Sequence, residues 1–440
     1  MDMSNHPVKT APPPRPASAV SSGVGIVGMM GLLAWMSIAR AYGMDGPYSA
    51  VTNVLACGIP MVLWSLLVDK VHRNPSTGLD WNAPKLLSET MDISITKICG
   101  LWITWCLIGA FYCIGRWYWE DPYLFAMRIF EGGVPFVFAL SIPYVFWLDR
   151  YLKDPRDGAW HFGQWLMGQP GSDKAQIAHH ARAWAVKGFF MAFMFSIVPG
   201  GFGDVVRTPT EQIFRSPATM ALWAISFMFV IDVAFATVGY VLTMKPLDAH
   251  IRTANPLLAG WVSALACYPP FVMMGGGRPL DYHPNTAGSD GWTFWMEGNL
   301  PLLWVTGVIL VLLTAWYAWA TVAFGLRFSN LTHRGIITHG PYAWTKHPAY
   351  LAKNTYWWLS TLPFFATTHS WVDMIRNSVM LAGVSGVYFW RAKMEEKHLL
   401  SDPAYQAYFD WMNEHGVITR RINRLLGRKS KAPLAPADAA

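Results

Sequence analysis

Two short clusters in the last quarter of the chain carry the residue types that could do chemistry. The first, from residue 334 to 350, reads R-G-I-I-T-H-G-P-Y-A-W-T-K-H-P-A-Y. It supplies Tyr342, His347 and Tyr350, and its T-H-G-P run is a turn composition that leaves backbone amides free to hold a ligand. The second reads R-A-K-M-E-E and supplies Arg391, Glu395 and Glu396. A guanidinium is a planar two-pronged donor that matches a carboxylate, and an ionised glutamate accepts from ammonium or hydroxyl groups. Arg391 and Glu395 stand four apart, so on a helix they share a face. Taken alone they read as a solvated ion pair at a helix start, and His347 alone reads as an interfacial or packing histidine. Their order along the chain changes that reading.

Between the clusters lie two apolar segments, residues 350–365 and 374–390. At about 1.5 Å per residue each is long enough to cross or nearly cross a bilayer. If both cross, Tyr342, His347 and Arg391 return to one membrane face. This series resembles the isoprenylcysteine carboxyl methyltransferase family and the wider group of small membrane methyltransferases that includes the phospholipid N-methyltransferases. The family pattern is G-x-Y, R-H-P-x-Y-x-G, a helical hairpin, R-x-x-x-E-E and Y-x-x-Y. Gly340-Pro341-Tyr342, His347-Pro348-Ala349-Tyr350, Arg391, Glu395-Glu396 and Tyr405 with Tyr408 match it in order and spacing, while Lys346 and Ala352 replace the usual Arg and Gly. The resemblance covers roughly the last 110 residues.

What the resemblance implies is an S-adenosylmethionine-dependent enzyme. The stretch Arg334, Gly335, Ile336 and Ile337 would cradle the cofactor with its backbone. Tyr342, His347, Pro348, Ala349 and Tyr350 would add contacts, Glu395 would accept from the cofactor's ammonium or hydroxyl groups, and Arg391 would orient the substrate. Methyl transfer asks mainly for positioning, because the sulfonium methyl must meet its nucleophile in line. The substrate expected is lipidic or prenylated and drawn from the bilayer. Three other readings stand beside O-methylation: a phospholipid N-methyltransferase, an NAD(P)H-dependent steroid- or sterol-type reductase of related fold, and a non-catalytic scaffold. A phosphate-bearing cofactor would call for additional cations near the motif, where Arg334, Lys346 and Lys353 are the ones available.

The elements that must position these residues are membrane helices. The 440 residues are 53% hydrophobic and only 14% charged, well below the one-quarter charged content of soluble domains. Apolar windows recur at 23–39, 50–68, 94–113, 132–148, 187–203, 219–243, 257–275, 301–325, 350–366 and 374–390. They predict an all-α, polytopic bundle of about ten spans. Placing alternate connections on opposite sides gives 25 Lys and Arg on the side of both termini against 7 on the other, with Lys97 and Lys353 inside spans. Both termini are therefore expected in the cytoplasm. The division expected is a disordered Pro/Ala/Ser-rich tail at 1–22, a scaffold of about eight spans at 23–325, the methyltransferase-like core at 326–416 and a basic disordered tail at 417–440.

The net charge of +7 sits in cytoplasmic loops and the basic tail, where anionic headgroups attract it, and is no nucleic-acid signal. Cys99, Cys106 and Cys113 recur every seven residues, which predicts one packing face on the third span. No C-x-x-C spacing occurs and His179-His180 diverge on a helix, so no metal site is expected. Gly275-Gly276-Gly277 reads as a turn. Asp232 lies in mid-span and needs a partner, for which Lys97 and Lys353 are the candidates.

Overall fold

The computed structural model describes residues 14–283 and 291–425. Its long helices follow the apolar windows, since a backbone without access to water must bond to itself. They are α1 (Ser22–Tyr42), α2 (Pro47–Leu67), α3 (Leu87–Gly115), α4 (Leu124–Tyr151), α6 (Lys174–Arg207), α8 (Pro217–Val241), α11 (Leu300–Val322) and α13 (Trp371–Leu399). Shorter ones are α5 (Gly158–Leu166), α7 (Thr210–Ile213), α9 (Leu258–Leu265), α10 (Trp292–Trp295), α12 (Pro348–Thr361), α14 (Pro403–His415) and α15 (Val417–Leu425). One two-residue antiparallel pair joins β1 (Thr253–Ala254) to β2 (Thr332–His333). The helical class is as expected.

Seven of these helices, α1, α2, α3, α4, α6, α8 and α11, are long and apolar enough to cross a membrane. That is the make-up of a multi-pass membrane protein. The remaining three windows take other forms. Window 257–275 yields only α9, because Pro269 and Pro270 lack the amides that would continue a helix. Window 350–366 yields α12, whose 14 residues span about 21 Å. It stops at Leu362, which takes a left-handed conformation directly before Pro363. Window 374–390 lies inside α13, which has the length to cross but carries Asp373, Arg376, Asn377 and Arg391 along it.

Helix directions show how the chain runs between α8 and α11. Ala221 of α8 lies beside Gly307 of α11, and Asp232 further along α8 accepts from Tyr317 and Thr321 further along α11. The two helices are parallel. The chain between them must therefore return from one end of the bundle to the other. It does so as broken backbone: Tyr268 lies at the level of Arg391, Leu280 at Gly383, and Gly291 at Ser360 near the far end. Then α12 runs antiparallel to α13, with Tyr350 against Glu395 and Trp358 against Ser385.

The expected tails are partly ordered. Residues 1–13 lie outside the described residues, whereas the next few are tied to the loop before α12. The Ala19 amide donates to the Ile336 carbonyl at 2.8 Å, Thr338 Oγ1 donates to the Pro16 carbonyl at 2.8 Å, and Ser18 Oγ meets His339 Nδ1 at 2.8 Å. At the other end, residues 417–425 form α15 and the rest of the basic tail lies outside the described residues.

Two packing expectations change. Cys99, Cys106 and Cys113 do share a face, but all three are exposed, so that face is not buried against the described chain. Lys97 is not the partner of Asp232. It pairs with Asp149 at 2.5 Å and with Asp157 at 3.2 Å. Lys97→Met removes the cation that is ion-paired with both carboxylates, the first of them fully buried. We expect a loss of about 3–5 kcal/mol, read as a lowered unfolding midpoint, and an unchanged midpoint would assign the pair no structural role.

Candidate functional site

The site is built first on a loop, residues 325–347, that is held from below by Arg334. This side chain is 2% exposed and donates to the carbonyls of Gly239, Leu242, Ala249, Leu326 and Phe328. It thereby satisfies carbonyls at the end of α8, which no further turn of helix would bond. Its guanidinium is consumed, so only its backbone faces a ligand. Beside it, Gly335 has φ of +109°, and a Cβ there would run into the Arg327 guanidinium and Ala19. Arg327 in turn donates to the Arg334 carbonyl at 2.9 Å and to Asp248 at 2.8 Å.

Next, Ile336 packs with Tyr405, Tyr408 and Met412 of α14, and the Tyr408 hydroxyl donates to the Tyr342 carbonyl at 2.8 Å. The Y-x-x-Y pair thus fixes the loop from above. Tyr342 turns its ring edge to Phe324, with centroids 5.2 Å apart. Pro348 occupies the first turn of α12, where its missing amide costs nothing.

α13 brings the second cluster. Glu396 is 5% exposed and accepts from His347 Nε2 at 3.0 Å, with Lys346 at 3.2 Å and Lys393 at 2.5 Å. Burial alone would raise its pKa. The hydrogen bond from His347, with the charges of His347 and Lys346, overrides burial and holds the carboxyl well below the usual carboxylate range. Glu395, one residue earlier, instead faces the cleft, where it accepts from the Tyr350 hydroxyl and lies 3.4 Å from Arg391 Nε.

Arg391 is 3% exposed and sits well inside α13, with two turns of helix still to follow it. A solvated charge at a helix start is excluded. Its Nη2 donates to Asn330 Oδ1 at 2.5 Å, and its guanidinium lies over the rings of Tyr350 and Tyr268 at 5.2 and 5.5 Å. Asn330 is itself oriented by donating to the Tyr240 and Tyr268 hydroxyls at 2.7 and 3.2 Å.

These segments enclose a cleft of about 1220 Å³, counted out to its open mouth. Of the sequence-derived positions, Arg334, Gly335, Ile336, Ile337, Tyr342, His347, Ala349, Tyr350, Arg391 and Glu395 line it. Pro348 does not. Sequence reasoning missed Asn330, a buried polar residue four positions before the cluster, and the role of Glu396 as the anchor of His347. It also missed Tyr317 and Tyr388, which line the cleft together with Lys353, the cation already noted near the motif. A polar residue close before a charged motif is the signal Asn330 offered in the sequence. His398 and His333 complete the rim, and burial together with the charge of His333 brings His398 down to about 4, so it is neutral at pH 7. No group of three or more His, Cys, Asp or Glu residues placed to hold a metal occurs among the described residues.

Glu396→Gln would leave Lys346, His347 and Lys393 around a neutral amide. We expect a loss of about 2–4 kcal/mol. A depressed carboxylate stabilises the fold above its unfolded pKa and ceases to do so as pH falls. Wild type should therefore lose stability on acidification below about pH 4.5, and Glu396→Gln should show a flatter acid limb. Parallel acid limbs would show that Glu396 carries none of this dependence.

Neither protein-family models, nor curated proteins, nor solved structures give a match to this chain.

Proposed function

We propose that this protein is an integral membrane S-adenosylmethionine-dependent methyltransferase acting on a lipidic substrate, with carboxyl O-methylation as its chemistry. The observation that carries the reading is the convergence, in one cleft, of the 334–337 backbone, Tyr342, His347, Tyr350, Arg391 and Glu395 from a loop and two later helices. Glu395 offers an acceptor to the cofactor's ammonium or ribose hydroxyls. The aromatic lining, which includes Tyr268, Tyr350, Tyr388 and Tyr405, suits a sulfonium. Arg391 stands where it would hold a carboxylate. Such a nucleophile is already ionised at neutral pH and needs no general base.

The reductase reading is disfavoured by the cations at the outer end of the cleft. A nicotinamide dinucleotide brings a pyrophosphate. Arg327 is committed to Asp248, Arg334 to backbone carbonyls, and Lys346 to Glu396, which leaves Lys353 as a single cation for two phosphates. Calorimetry on the purified protein should show saturable binding of S-adenosylmethionine and none of NADPH; the reverse would replace the methyltransferase by a reductase.

The orientation proposed has both termini in the cytoplasm, from the charge bias of 25 to 7. A reporter fused after Lys431 should read cytoplasmic and one inserted near Gly288 external. Both on the same side would overturn that orientation.

A further inference from the structure

The inner end of the cleft holds charges that the proposed chemistry leaves unused. Among the described lysines and arginines that line it, Lys353 alone has neither a hydrogen bond nor an ion pair. Its ammonium lies over three rings: Trp357 at 5.1 Å, and Tyr317 and Tyr388 at 5.6 Å each. Rings offset part of the cost of taking a charge from water, but they satisfy none of its three N–H donors. The carboxylate whose charge bears on it, Asp232, makes no ion pair with it. Asp232, 8% exposed on α8, accepts on Oδ2 from the Tyr317 hydroxyl at 3.1 Å and on Oδ1 from Thr321 Oγ1, both side chains of α11.

Lys353 and Arg391 face the same space. On α12, Tyr350, Lys353 and Trp357 share one side by their three- and four-residue spacing, and on α13 so do Tyr388, Arg391 and Glu395. The two sides meet at the Tyr350–Tyr388 ring contact, with centroids 5.6 Å apart. Arg391 Nε lies 3.4 Å from Glu395 without a hydrogen bond to it, so of the two cations Lys353 is the one whose donors are left open. Glu395 offsets Arg391 on its own side of this tyrosine-lined space, so an anion entering beside Arg391 would meet the open donors of Lys353.

We propose that Lys353 is a second anion anchor: the acidic headgroup of the lipidic substrate is gripped between Arg391 and Lys353, with Asp232 as the fixed counter-charge behind Lys353. The proposal rests on the cleft being the substrate site of the reading above, and it adds the residue that selects an acid over an amine. An ammonium headgroup would meet two cations at the same place. With the cofactor's sulfonium nearby, a carboxylate also leaves the filled cleft closer to neutral.

The test uses the full chain in detergent and, as probe, S-farnesyl-N-acetylcysteine, with its carboxamide as the uncharged control. Binding is read by calorimetry without cofactor, so a failure of the methyltransferase reading leaves this test intact; S-adenosylmethionine affinity is read separately. Lys353→Gln should weaken acid binding about 10- to 100-fold, leave carboxamide binding and S-adenosylmethionine affinity unchanged, and be largely rescued in Lys353→Arg. Asp232→Asn keeps the shape and removes the counter-charge, so it should tighten acid binding about 3- to 10-fold. Should Lys353→Gln not fold, the Asp232→Asn result decides. Acid binding unchanged in Lys353→Gln, a loss shared equally with S-adenosylmethionine, or acid binding unchanged or weakened in Asp232→Asn would each overturn the proposal.

Discussion

Arg334→Met is expected to lower stability by more than about 4 kcal/mol, the largest effect of any single substitution in this chain. The reason is the number of acceptors it strands. Five backbone carbonyls, at Gly239, Leu242, Ala249, Leu326 and Phe328, converge on one guanidinium that is 2% exposed. A buried acceptor left without a donor costs about 1–3 kcal/mol, and even partial relaxation around five of them exceeds the usual range for a point change. Arg334→Lys should recover little, because three donors on a point charge cannot span the fork that reaches both the end of α8 and residues 326–328. Thermal unfolding in detergent reads the effect. A midpoint within 2 °C of wild type in both variants would show that water serves those carbonyls, and would free Arg334 for a direct role toward a ligand.

The second large effect separates substrate from cofactor. Arg391→Lys should lower turnover about 10- to 100-fold while leaving S-adenosylmethionine affinity nearly unchanged, as expected for one misplaced orienting contact. Lysine keeps the charge but loses the fork, together with the Nη2 bond to Asn330 that aims it. Glu395→Gln should do the opposite, weakening cofactor binding about 10- to 150-fold through loss of a charge-assisted bond. Equal losses of both quantities in Arg391→Lys would move that residue into the cofactor site. Unchanged turnover would reduce it to a packing cation between Tyr268 and Tyr350.

Much of this was legible in the sequence because a membrane leaves the backbone few choices. The uninterrupted apolar windows became helices, and the serial order of two motifs foretold that residues 334–350 and 391–396 would meet. What stayed hidden depends on three-dimensional partners. Pro269-Pro270 breaks the seventh window, yet composition alone cannot tell a broken pass from a continuous one. Leu362 before Pro363 ends α12 early for a local backbone reason that hydropathy does not register. Lys97 and Lys353 look equivalent as charges inside apolar windows; one closes a tight pair with Asp149 and Asp157, and the other lies over three aromatic rings. Of the adjacent Glu395 and Glu396, only helix phase decides that the first faces the cleft and the second ties His347 in place.

The central claim is methyl transfer, and the most direct measurement is incorporation of label from S-adenosylmethionine carrying a labelled methyl group into a prenylated carboxylic acid presented in detergent micelles, compared between wild type and Arg391→Lys. The account predicts base-labile label in the acid for wild type, as a methyl ester requires, and about 10- to 100-fold slower labelling for the variant with the cofactor still bound. Label that appears instead in phospholipid amines, or wild-type protein that binds the cofactor and transfers nothing to any acid, would contradict it.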